Sequence, residues 1–75
     1  MNTLIIKAHL IKAVKAKDAA NVYRFRDLLN VARVKDDVVY EWIRKATEQK
    51  VSNEDLDKLV QQGKRLYKER KIGTV

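Results

Sequence analysis

Cations are the one class of reactive side chain that this sequence holds in quantity: lysine and arginine supply 17 of 75 residues against 10 acids, a net charge of +7. Their chemistry is attraction of phosphates or carboxylates, not bond making. The groups that catalysis needs are scarce. There is no cysteine, His9 is the single histidine and Ser52 the single serine. Without a thiol nucleophile or a glycine-rich phosphate loop, no nucleophilic or phosphoryl-transfer site can be drawn. Thiolate and all-histidine metal sites are excluded as well. His9 lies among apolar neighbours and reads as a structural histidine. Glu54, Asp55 and Asp57 lack the ligand alternation and glycine of a calcium loop, and the positive end of a helix explains them. The expectation is a binding protein with no catalytic residues, cofactor or metal.

The cations are unevenly distributed. Residues 1–17 carry four lysines and no acid, and residues 63–75 carry five bases and one acid. Residues 36–62 reverse the balance, with seven acids and four bases. In the C-terminal segment Lys64, Arg65, Lys68, Arg70 and Lys71 surround Leu66 and Tyr67. Bases interleaved with an aromatic can hold phosphates while the ring stacks. Cations also suit any helix C-terminus, so a solvated helix end is an equal reading. Lys7, Lys12, Lys15 and Lys17 point in different directions on a helix and read as solvating charges.

The elements that must position these groups are helices. Proline is absent, glycine occurs only at Gly63 and Gly73, and alanine, leucine, lysine and glutamate abound, a composition that favours helix. The first helix starts at Asn2 or Thr3 and runs to about Ala16, with an apolar arc wide enough to suggest burial on two sides or in a homodimer. The second is capped by Asp18 and runs to about Ala32, with Val22, Phe25, Leu29 and Ala32 on one face. The third begins at Asp36 or Asp37 and buries Val39, Trp42, Ile43 and Ala46. The fourth begins after Ser52, an N-cap with Asp55 at the third helical position and a Val51–Leu56 staple. Leu56, Leu59, Val60, Leu66 and Tyr67 form its inner face. Gly63 costs about 1 kcal/mol there relative to alanine, so the helix is expected to bend or end, leaving a flexible basic extension from about 64 to 75. The sum is an all-α domain, a small bundle of about four helices. Folding buries only roughly 60% of the unfolded surface at this length. No segment reaches the ~20 apolar residues of a membrane span, and the first helix is no signal peptide, so a cytoplasmic protein is expected.

Residues 28–45, LLNVARVKDDVVYEWIRK, place a tight turn between two helices, with Leu28, Ala32, Val34, Val39 and Trp42 at inward positions. The stretch resembles the helix-turn-helix of small bacterial and phage DNA-binding domains. It departs at Arg33, where the turn prefers glycine, and at Leu29, where a small residue is usual. The resemblance implies a transcription regulator whose third helix turns Tyr40, Arg44 and Lys45 toward bases, while Arg33, Lys35 and the tail cations hold phosphates. The same stripes also fit plain bundle core, and Asp36, Asp37 and Glu41 would repel phosphate. A second stretch, KAVKAKDAANVYRFRDLLNVA, is similar to the opening of GatB/YqeY-type helical domains, which implies an RNA-linked role. The alternative that needs no nucleic acid is a phage-type regulator docking on RNA polymerase or another host protein, and a bare structural subunit is the third.

Overall fold

The computed structural model describes the backbone of residues 2–48 and 50–73 and the side chains of these residues up to 69. It contains four helices, α1 (Thr3–Lys15), α2 (Ala19–Val31), α3 (Asp36–Thr47) and α4 (Asn53–Gly73). Among the described residues there is no strand. The expected all-α bundle is the fold found.

Side-chain capping sets the starts of α1, α2 and α4, whereas α3 starts after Lys35 with no side-chain cap and with Asp36 and Asp37 in its first turn. The Asn2 side chain accepts from the Leu4 amide at 3.0 Å, and Asp18 accepts from the Asn21 amide at 3.3 Å. Ser52 Oγ accepts from the Asp55 amide at 3.2 Å. Each bond satisfies an amide that the helix itself leaves free.

The stops are unusual. Lys17, Arg33 and Glu48 have φ of 56°, 68° and 56°, a left-handed conformation that glycine adopts without a Cβ penalty. After α1, the Lys17 amide donates to the Val14 carbonyl and the Asp18 amide to Ala13. After α2, Arg33 donates to Asn30 and Val34 to Leu29. Both are the paired bonds of a Schellman stop. After α3, Glu48 donates to Arg44. The chain therefore joins its helices through connections of three, four and five residues that contain no glycine.

Packing follows the apolar stripes. Leu10 of α1, Val22 and Leu29 of α2, Val39 and Ile43 of α3 and Leu56 of α4 are fully buried. Each buried aliphatic side chain of this size contributes about 1.5–3 kcal/mol. Phe25, Leu28, Trp42, Ala46, Val51 and Leu59 pack on this centre while staying partly exposed, so Trp42 belongs to the rim of the core and not to its middle. His9 departs from its expected place: it is exposed and stacks on Phe25, ring centroids 5.4 Å apart. His9 and Phe25 lie equally far from Lys17, so α1 and α2 form an antiparallel pair.

Gly63 neither bends nor ends α4, which runs on to Gly73. It is buried, and a Cβ placed on it would lie 2.1 Å from the Ala19 carbonyl oxygen and 2.8 Å from Tyr23 Cβ. The glycine is there for close approach to α2. The basic segment from Lys64 to Gly73 is thus a continuation of α4.

Two outcomes follow. Gly63→Ala should destabilise the fold by about 2 kcal/mol through overpacking against backbone, although alanine is favoured by about 1 kcal/mol in a free helix. Urea unfolding monitored by circular dichroism reads the sign. Glu48→Gly should stabilise by about 1 kcal/mol, because it relieves the left-handed backbone and removes an anion from a helix C-terminus. The melting midpoint should rise by about 4–8 °C.

Candidate functional site

On α3, the helix expected to face a ligand, most of the expected groups are engaged inside the protein. Tyr40 is 7% exposed, and its hydroxyl donates to Asp57 Oδ1 at 2.5 Å. Burial, then the hydrogen bond to Asp57 and its negative charge, push the phenol from 10.0 up to about 12. This corrects the outward placement of Tyr40. The start of α4 lies along that flank, and a side chain three positions before Ile43 turns into the interface. Arg44 is half-buried; it donates to Asn53 Oδ1 of α4 and pairs with Glu41 at 3.5 Å. Arg26 of α2 donates to Asp36 at 3.0 Å and ties α2 to the first turn of α3. What α3 leaves exposed is Asp37, Val38, Glu41 and Lys45, two anions to one cation.

The remaining expected residues do not converge. Arg33 and Lys35 are exposed in the turn between α2 and α3. Lys45 lies on the opposite flank, where Lys7, Ile11, Lys15, Trp42 and Ala46 line a shallow recess between α1 and α3. Lys7 Nζ stands 4.7 Å above the Trp42 ring, within cation–π range. Lys64, Arg65 and Lys68 are exposed on α4. The side chains of Arg70 and Lys71 lie outside the described residues.

A different grouping emerges at the Gly63 crossing. Because Gly63 meets α2 at Ala19, the residues around it come to the same end of the bundle as the turn from α1 to α2, while Tyr67 stands beside Tyr23, ring centroids 5.8 Å apart, as α4 runs on along α2. An open groove separates α4 from that turn, with a floor that includes Val14, Ala19, Ala46, Leu59 and Leu66. Lys15 and Lys17 stand on its margin and are exposed, and between them and the floor Asp18, held by Asn21, also lines it. Leu66, expected in the core, is 38% exposed there. None of Lys15, Lys17, Lys64, Arg65 and Lys68 has a carboxylate partner among the described residues. Two basic segments that lie more than forty positions apart in sequence thus share one end of the molecule. Lys15, Lys17, Leu59 and Leu66 were not read as a group from sequence. The available signal was the pairing of Gly63 with the Ala19–Ala20 step, small residues that mark a close helix crossing.

Among the described residues, no three His, Asp or Glu side chains gather as a metal-ligating group, and no helix is long and apolar enough to cross a membrane. No protein-family model matches the chain, and neither a curated protein nor a solved structure shows significant similarity to it.

The Tyr40–Asp57 bond predicts a pH dependence. Below pH 10 the phenol is protonated in both folded and unfolded chains; above it the unfolded chain ionises first, because only the folded value stands at about 12. Stability should therefore fall as pH rises from 10 to 12, by on the order of 2 kcal/mol. Tyr40→Phe should cost about 1 kcal/mol at neutral pH and remove that alkaline loss. Chemical denaturation of both proteins across this range checks the difference.

Proposed function

We propose that this protein is a non-enzymatic regulator that docks on a protein partner, gripping an acidic segment studded with apolar side chains. The observation that carries this reading is the groove at the Gly63 crossing, an apolar floor with lysines on its margin and further cations on the same α4. An amphipathic acidic helix suits it: leucine-like side chains cover Leu59 and Leu66, and carboxylates meet Lys15 and Lys17. Charge of this kind speeds encounter and selects partners, while the buried apolar contact holds them.

The helix-turn-helix reading draws less support. Its recognition helix would bring Asp37 and Glu41 to phosphates, with Arg44 already held by Asn53 and Glu41 and Tyr40 unavailable. A helix in the major groove reads bases through exposed, uncommitted donors. On α3 that leaves Lys45.

Fluorescence anisotropy can decide between these partners. The probes are a labelled amphipathic peptide with leucine on one face and glutamate on the other, its lysine-for-glutamate counterpart, and a short DNA duplex. The acidic peptide should bind best, and Leu66→Glu or Lys17→Glu should weaken it about tenfold or more. Duplex binding that exceeds peptide binding and falls with a log–log salt slope of about −0.9 per neutralised phosphate would replace the docking reading with a nucleic-acid one.

A further inference from the structure

Among the described residues five large hydrophobic side chains are exposed: Leu4 (72%), Ile5 (56%), Val31 (70%), Val38 (41%) and Leu66. Scattered surface hydrophobics need no explanation, but contiguous ones do. Four of these five belong to the start of α1, the end of α2 and the start of α3. The fold brings those three termini together. The His9–Phe25 stack sets α1 and α2 antiparallel, so the first turn of α1 lies at the end where α2 finishes. A four-residue turn then starts α3 at that end. Lys7 sits over Trp42, and Leu4 and Val38 each lie one helical turn before that pair. They occupy neighbouring positions on adjacent helices. This end is opposite the groove, so it raises a separate question from the docking site.

We infer that this apolar edge is a homodimer interface. The argument rests on the charges around it. At the groove end one sign dominates, and a second copy would be repelled. Around Leu4 and Val38 both signs are present: Asp37 and Glu41 on α3, and Arg33 and Lys35 in the adjoining turn, all exposed. A two-fold interface places the same patch on both subunits, so it must be complementary to itself. A patch with an apolar centre and both signs at its margin meets that condition, since the acids of one copy can face the bases of the other. A strongly one-signed margin would instead call for a partner of opposite charge. The size of the chain points the same way, because a domain of this length buries little apolar surface alone and gains from covering more.

Sedimentation equilibrium of the full chain, from about 10 μM to about 1 mM, tests the inference, since dimer populations follow protomer concentration. The wild type should show a concentration-dependent dimer. Leu4→Glu and Val38→Glu should each lower its association constant at least about tenfold. These positions are exposed, so the helical circular dichroism should be retained; Leu4→Ser provides a milder change at the same place. Leu66→Glu, at the other end, should leave dimerisation intact while impairing capture of the acidic peptide, so the two readings fail separately. A wild type that stays monomeric over the whole range overturns the inference and leaves the edge to a different partner. A dimer that survives both Leu4→Glu and Val38→Glu overturns it equally.

Discussion

Helices approach one another no more closely than their side chains allow, and at one place in this protein that limit is removed. Gly63 lets α4 settle against the backbone of α2 at Ala19, where even a methyl group would overlap the carbonyl oxygen. The rest of the arrangement depends on that seat. It lets Leu56 and Val60 reach the core, which gives a four-helix core to a chain with no disulfide or proline to restrain it. It also fixes where the C-terminal cations lie. Were α4 held farther off by a side chain, its basic half would separate from the α1–α2 turn. The groove that includes Leu59, Leu66, Lys15 and Lys17 would open with it.

Three of the seven acids of the middle segment are engaged within the bundle. Asp36 binds Arg26, Asp57 accepts from Tyr40, and Glu41 pairs with Arg44. The first crosses from α2 to α3 and the second from α3 to α4, while Glu41–Arg44 lies within α3. Such partly exposed pairs contribute little stability individually, but they fix the rotation of α3, which turns Tyr40 inward and Asp37, Glu41 and Lys45 outward. Among the described residues Lys15, Lys17, Lys64, Arg65 and Lys68 have no ion-pair partner, whereas Lys7 stands over Trp42.

The helix boundaries were legible because capping is local chemistry. Asn2, Asp18 and Ser52 cap the helices they precede in the sequence, and Arg33 stands in the turn position where glycine was preferred, paying with a positive φ. The burial of Tyr40 was not legible in the same way. Its spacing to Ile43 was visible, but whether that flank of α3 met water or protein depended on where α4 would run. Gly63 misled for a related reason. Helix propensity is a property of a free helix, and by that measure a glycine interrupts; against Ala19 it is a requirement of packing. Leu66 and Trp42 looked like core because periodicity identifies an apolar face without revealing how much of it a neighbour covers. For the candidate site the limit was topological: Lys17 and Lys64 gave no sign in sequence that they share one end of the fold.

The two ends of the bundle differ in a way that follows from the order of the helices. Alternating directions place the start of α1, the end of α2 and the start of α3 together, and this is where the lysine-free first turn of α1 meets the acidic first turn of α3. The opposite end collects the lysines that close α1 and those that follow Gly63. Apolar surface appears at both ends, but with different margins, evenly mixed in sign at one and predominantly basic, with Asp18 among the lysines, at the other. Net repulsion between like copies is the greater at the predominantly basic end. The order of the helices thus leaves two apolar surfaces of different charge at opposite ends of one small bundle.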